Sequence, residues 1–195
     1  MGKFRIIETP IKGLLLIETK VFRDDRGFFM ESYNQKELKE IGFDLNFVQD
    51  NHSFSRKGVI RGLHFQLKYP QGKLVRVISG KVFDVAVDLR VNSPTFGEWF
   101  GVELMEGDGL QFYIPPGFAH GFISLEENTH FFYKCTEYYN SEDDFGIIWN
   151  DPKLNISWPL DKVENIIVSE KDKKLPSFEE VKDILIRENY GKGYE

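Results

Sequence analysis

Four side chains able to move protons, hold anions or form hydrogen bonds crowd one short stretch: Arg61, His64 and Gln66, with Lys73 a few residues on. Histidine suits acid–base work because its imidazole titrates at about 6.5 when unperturbed, close to working pH. A lone histidine in a β-rich chain is more often structural than catalytic. Here its company shifts the balance, since four such groups beside one strand are costly to bury unless a ligand satisfies them. The period of two along a strand puts His64 and Gln66 on one face and Arg61 on the other. Gly62 stands where a bulge would bring Arg61 round. A second region runs from Gly109 through Ile114, Pro115, Pro116 and Gly117 to His120. Proline cannot extend a central ladder, so a strand ends at Ile114; Gly117 permits an unusual backbone angle, and His120 opens the next strand. Alone, this is equally a Pro-Gly turn with an incidental histidine. The third region is His130 to Tyr139. In an unbroken strand Tyr133, Cys135 and Tyr139 share one face. The plain alternative is an aromatic face packed into the core, although a buried tyrosine hydroxyl still needs a partner, which a polar ligand cavity would provide.

Short strands separated by Gly, Pro and Asn turns must position these groups. The clearest hairpin is expected over Lys73 to Arg90, where Phe83, Val85, Val87 and Leu89 alternate with Val82, Asp84, Ala86 and Asp88 and Gly80 supplies the turn. Asn34 can cap a short helix with Glu37 in the capping-box position and Gly42 at its stop. Ser177 and Glu180 form a second box ahead of an apolar stripe of Val181, Ile184 and Leu185. The charged run Glu170-Lys171-Asp172-Lys173-Lys174 has the plain reading of a solvated loop. No repeat or linker divides the chain, so residues 1–195 are expected to form one domain, with an N-terminal strand extension and a C-terminal helical tail.

Composition narrows the partners. The chain carries 18 Phe and 8 Tyr, an aromatic richness that suits pleated, half-buried surfaces. A net charge of −6 argues against general nucleic-acid or membrane-surface binding, so an anionic ligand must be held by a local basic cluster. The single cysteine, Cys135, excludes an intrachain disulfide framework and fits a reducing compartment. The apolar Gly13 to Ile17 run is too short for a signal peptide, and no run approaches the roughly 18 residues of a membrane span. A cytoplasmic protein is expected.

The spacing from Gly109 to His120 matches the second cupin signature, G-x5-P-x-G-x2-H, at every fixed position. The first signature supplies H-x-H and then a glutamate, whereas here Gln66 replaces one histidine and no glutamate follows within the expected few residues. Catalytic Zn or Fe sites usually take three protein ligands, and His64 with His120 alone would hold a metal poorly. The expected fold is all-β: a cupin-type double-stranded β-helix, or jelly-roll barrel, with a few short peripheral helices and no metal.

Over nearly its whole length the chain resembles the dTDP-4-dehydrorhamnose 3,5-epimerase family. The resemblance rests on several motifs in order, among them Phe22 to Phe29, Phe47 to Ser53, Gly58 to Gln66, Gln71 to Arg76, Ser93 to Gly97, Pro115 to Gly121, Tyr133 to Thr136, Trp149 to Pro152 and Ser169 to Asp172. It implies that His64 is the general base, that Asp172 hydrogen-bonds its ring, that Tyr133 is the opposing acid and that Lys73 stabilises the enolate. It also implies that Arg61 and His120 line the sugar and phosphate site, that Tyr139 stacks on thymine, and that Arg26, Glu31, Gln49, Asn51 and Lys171 complete recognition. Members of the family are dimers, in which Arg26 can serve the partner's pocket. One departure is Asp144, which stands where the family often has Glu; its shorter side chain leaves it outside the implied core site. The implied activity inverts C3 and C5 of dTDP-4-keto-6-deoxy-D-glucose through an enolate, for dTDP-L-rhamnose synthesis, with no nicotinamide or other cofactor because no hydride moves. Two rivals share the fold: an epimerase of one carbon or ketoisomerase of a related dTDP-sugar, and a non-catalytic sugar-binding cupin.

Overall fold

A computed structural model describes residues 2–194. In chain order the elements are β1 (Phe4–Glu8), β2 (Leu15–Thr19), β3 (Val21–Asp24), β4 (Gly27–Met30), α1 (Gln35–Glu40), β5 (Gln49–Ser55), β6 (Val59–Gln66), β7 (Lys73–Ser79), β8 (Lys81–Asp88), β9 (Trp99–Met105), β10 (Leu110–Ile114), β11 (Phe118–Ser124), β12 (Thr129–Cys135), β13 (Asp144–Gly146), β14 (Ile167–Val168) and α2 (Phe178–Arg187). One sheet has the order β1-β2-β10-β7-β12-β5, the other β13-β6-β11-β8-β9 with β14 alongside β6, while β3 and β4 form a separate ribbon.

Between the sheets lies an apolar layer drawn from both: Val75, Val77, Phe112, Ile114 and Phe131 from the first, Val82, Ala86, Leu104, Phe118 and Phe122 from the second. Burying each such large side chain contributes about 1.5–3 kcal/mol. The second sheet is also covered outside. Ile60, Leu63, Phe65, Val85, Val87 and Ile123 pack there against Phe178, Val181 and Leu185 of α2 and against Trp158 and Tyr190. Both faces of β8 are therefore buried, and its alternation sorts residues between two cores instead of core and solvent.

The Lys73 to Arg90 segment is two strands, but not a hairpin. β7 pairs with β10 and β12, and β8 pairs with β9 and β11, so Gly80 is a corner at which the chain passes from one sheet to the other. A hairpin needs about two loop residues to reverse direction; the single Gly80 redirects the chain. Its φ is +80°, and a Cβ there would stand 2.5 Å from Thr129 Oγ1 and 2.9 Å from Thr129 Cα.

Both helices begin where expected. Asn34 Oδ1 accepts the Glu37 N–H at 3.2 Å, although the Glu37 carboxylate turns to Lys3, leaving that capping box half made. At Ser177 the box is complete. β12 ends at Cys135, so the strand parity does not extend to Tyr139, which lies on an exposed loop. The Lys-rich run holds one 3₁₀ turn at Asp172–Lys174, and its Asp172 is buried, not solvated.

Gly80→Ala should destabilise the protein by roughly 1–3 kcal/mol through backbone strain alone, with the Thr129 clash added. Urea unfolding measures this; an unchanged midpoint would show that the corner accepts a side chain.

Candidate active site

The bulge that places His64 is in β6. Ile60 pairs with Ile123 and Arg61 with Phe122 on β11, then His64 pairs with His120, so Gly62 and Leu63 together oppose Gly121. One extra residue resets the parity, and Arg61 and His64 come to line the same cavity. Only glycine fits at 62: φ is +101°, and a Cβ would lie 2.5 Å from His120 O.

That cavity measures about 200 Å³ and is lined by Ser53, Arg61, His64, His120 and Tyr133, with the β11 backbone at Gly121 beneath. His64 and Tyr133 enter from different sheets, β6 and β12. Larger clefts, of about 700 and 510 Å³, lie by β1, β2 and α1. Lys3, Arg5, Glu18 and Glu37 in those clefts are joined in ion pairs, and no histidine lines either. The histidines, arginine and tyrosine suited to acid–base chemistry gather at the smaller cavity.

His64 Nε2 lies 2.8 Å from Asp172 Oδ1, and Asp172 Oδ2 accepts the Gly62 N–H at 3.2 Å. Burial alone would raise the Asp172 carboxyl; the His64 hydrogen bond and charge, with the Gly62 N–H and Lys171, outweigh it and hold the pKa below the ordinary value. A second dyad lies deeper, with His120 Nε2 2.9 Å from Asp84 Oδ2. Burial pushes the imidazole down and the carboxyl up, each toward its neutral form. Lys73, at the start of β7, is near enough for its charge to act on both, and burial lowers its amine. Tyr133 is pushed up to about 12, chiefly by burial, so the phenol keeps its proton through the working range. Arg61 donates to Ser55 Oγ at 3.2 Å and to Phe54 O at 3.0 Å. Gln66 has its side-chain amide fully engaged within the chain, and among the described residues no cluster of three His, Cys, Asp or Glu side chains could hold a metal ion.

Beside this cavity Tyr69, Tyr138 and Tyr139 line a second, open hollow of about 380 Å³. The Tyr139 hydroxyl donates to Asp144 Oδ2 at 2.8 Å, and Lys171 Nζ pairs with the same carboxylate.

The family model for dTDP-4-dehydrorhamnose 3,5-epimerase matches residues 8–180. The chain belongs to this family. Among its relatives, the dTDP-4-dehydrorhamnose 3,5-epimerase of Methanothermobacter thermautotrophicus is 54% identical over 173 residues, covering 89% of this chain and 94% of the relative. That of Escherichia coli K12 is 51% identical over 178 residues, covering 90% and 95%. The crystal structure of the Legionella pneumophila dTDP-6-deoxy-D-glucose-3,5-epimerase in complex with dTDP-4-keto-L-rhamnose superposes with a TM-score of 0.88 at 49% identity, covering 93% of this chain and 96% of that one. The chain is thus an isomerase of the epimerase kind, on a cupin-type barrel.

Within this epimerase, His64, Tyr133, Arg61 and His120 meet at one cavity and Asp172 holds His64; Lys73, half-buried at the start of β7, does not line that cavity but is near enough for its charge to act on Asp84 and His120. Gln49 and Asn51 are bonded to each other at 3.1 Å, and Gln49 Oε1 accepts the Tyr139 N–H at 2.9 Å. Arg26 and Glu31 stand apart: Arg26 is at the exposed ribbon tip, paired with Asp24, and Glu31 is paired with Lys3. Two groups, Asp84 and Ser53, were missed, and a third, Asp144, was set aside. Asp84 carried a signal, a carboxylate in an otherwise apolar strand, which is rarely buried without a partner. Asp144 reaches both Tyr139 and Lys171 despite its shorter side chain. Ser53 carried no separate signal; its Oγ is buried and is the one such side-chain atom without a hydrogen-bond partner among the described residues.

Because the Asp172 pKa is depressed in the fold, the unfolded chain binds its proton more readily. Its stabilising share is complete above the ordinary carboxyl range near pH ~4 and is lost as pH falls through the depressed value. Asp172→Asn should lower the urea midpoint at pH 7, by a margin that holds down to about pH 4 and narrows below it. A margin independent of pH would contradict this.

Proposed function

We propose that the chain inverts C3 and C5 of dTDP-4-keto-6-deoxy-D-glucose to give dTDP-4-keto-L-rhamnose, in dTDP-L-rhamnose synthesis. The observation that carries this reading is the entry of His64 and Tyr133 into one cavity from opposite sheets. Inversion beside a ketone takes a proton from one face of the ring and delivers another to the opposite face. His64 is the base. The Asp172 carboxylate fixes its tautomer and stabilises the imidazolium formed on proton transfer. Electrons from the broken C–H bond pass to the C4 oxygen, and Lys73 holds that enolate charge in a site with little water. Tyr133, whose proton is retained because burial raises its pKa, then protonates carbon from the other side. Return of the proton from His64 to solvent and recharging of the phenol reset the pair for the second carbon. Arg61 and Lys171 supply local positive charge for the diphosphate of an otherwise acidic protein. The exposed rings beside the cavity suit the nucleotide base, with Tyr139 stacking on it. Ser53 Oγ is available to a sugar oxygen. The reaction moves no hydride and takes no cofactor or metal.

The same reading makes the protein a cytoplasmic homodimer. Arg26 has no role at its own protomer's cavity, and the ribbon that bears it exposes Phe22, Phe28 and Phe29. These suit a second copy, whose pocket Arg26 would enter.

In heavy water, the purified protein with dTDP-4-keto-6-deoxyglucose should incorporate deuterium at both C3 and C5. Label at one carbon only would make it a single-carbon epimerase, and no exchange would make it a binding protein. His64→Asn should lower turnover by about 10²–10⁴-fold, the usual share of a general base; near-normal turnover would remove His64 from that role.

A further inference from the structure

Gln66 occupies the place of a metal ligand in the first cupin signature, yet its side chain does not face an ion. The residue is 4% exposed at the end of β6. Its Nε2 donates to Tyr69 O at 2.6 Å and to Tyr138 O at 3.2 Å, and its Oε1 accepts the Asn140 N–H at 2.8 Å. The Tyr138 carbonyl and Asn140 amide bracket Tyr139, so one side chain clamps the backbone on both sides of that ring. Gln49 holds the Tyr139 N–H itself. Gln66 is in turn held from behind, where the Tyr190 hydroxyl donates to its carbonyl at 2.9 Å.

We propose that Gln66 is a positioning residue for nucleotide recognition: it sets the 138–140 loop so that Tyr139 stands ready for the base before the ligand arrives. This rests on Tyr139 being the base-stacking residue of the proposed function. The chemistry is specific to a primary amide. Two carbonyls need two N–H donors and one amide N–H needs an acceptor, and of the common side chains only Gln and Asn carry that set. A histidine here cannot supply two donors and an acceptor at once. Preorganising the loop removes an ordering cost that binding would otherwise carry. The loss of the metal ligand and the gain of an ordered aromatic platform are then one substitution.

The test compares wild type, Gln66→Leu, Tyr139→Ala and the double variant, using dTDP binding by calorimetry and turnover of the keto-sugar nucleotide. Gln66→Leu is expected to raise the dTDP Kd and the KM about tenfold, with kcat within about threefold of wild type. Added to Tyr139→Ala it should cost little more, because its effect passes through that ring. Wild-type dTDP affinity in Gln66→Leu, or full additivity in the double variant, overturns the inference. So does a fall confined to kcat. Should Gln66→Leu fail to fold, Gln66→Glu keeps the acceptor for Asn140 and loses both donors, and is read by the same criteria. Wild type that neither binds dTDP nor turns over would instead overturn the functional reading beneath.

Discussion

The His64 ring on β6 is held by a carboxylate 108 residues further along the chain, and much of the C-terminal structure follows from delivering it. β14 runs parallel to β6, with Ile167 beside Val59 and Val168 beside Ile60, which brings the next turn level with the bulge. The Ser169 hydroxyl accepts the Asp172 N–H at 3.0 Å and fixes the 3₁₀ turn. A buried carboxylate without partners would keep this segment off the barrel, because an unpaired charge is far costlier to bury than an apolar side chain. His64 and the Gly62 N–H provide the partners. Orientation of the imidazole and docking of this turn therefore share one interaction, beside the β14 pairing and the packing of α2 that also hold the tail.

The bulge has a matching double use. Inserting one residue at Gly62 and Leu63 turns Arg61 and His64 toward one cavity and also presents the Gly62 N–H to Asp172. The apolar layers on both faces of the second sheet then bury His120 and Asp84 behind the cavity, while Arg61 is exposed and His64 half-buried. Asp84 and His120 are buried there with half-buried Lys73 nearby, and desolvation shifts each toward its neutral form. Such buried groups are weak contributors to stability. Under the proposed function their value is in the reaction, since an ammonium where screening is poor attracts a developing enolate more strongly than it would in water.

What was legible in the sequence was local. Asn34 and Ser177 start their helices because a cap needs only its own turn, and the Gly109 to His120 motif ends one strand and begins another through proline and glycine chemistry. Gly62 was a visible place for a bulge, because strand parity alone turns Arg61 away from His64, but only the register with β11 shows that one is there. What failed was pairing. Alternation over residues 82–89 announces a strand but does not name its neighbour, so Gly80 looked like a hairpin turn although it is a corner between sheets. By the same limit the residues alone left Asp172 in a solvated run, and only the family resemblance assigned it to His64, since its burial depends on β14 pairing with β6 far upstream. Asp84 needed His120 across the β8–β11 ladder to make sense. The roles of Arg26 and Glu31 came from family resemblance, and this protomer's own cavity gives them no use.

Asp144 shows why substituting a shorter residue need not break a site. β13 pairs with β6 so that Asp144 lies opposite Gln66, directly beneath the loop that Gln66 holds. Placed so close, a carboxylate on one methylene reaches both the Tyr139 hydroxyl and Lys171. Lys171 precedes Asp172, which carries the line on to His64. Tyr139, Asp144, Lys171, Asp172 and His64 are thus joined through four short links on adjacent elements. Under the proposed function, a nucleotide held at the Tyr139 end would have little freedom to let its sugar drift at the His64 end. Binding energy gathered far from the reacting carbons would in this way be converted into alignment of a C–H bond between an imidazole and a phenol, and alignment of that kind lowers the barrier where tighter grip alone would not.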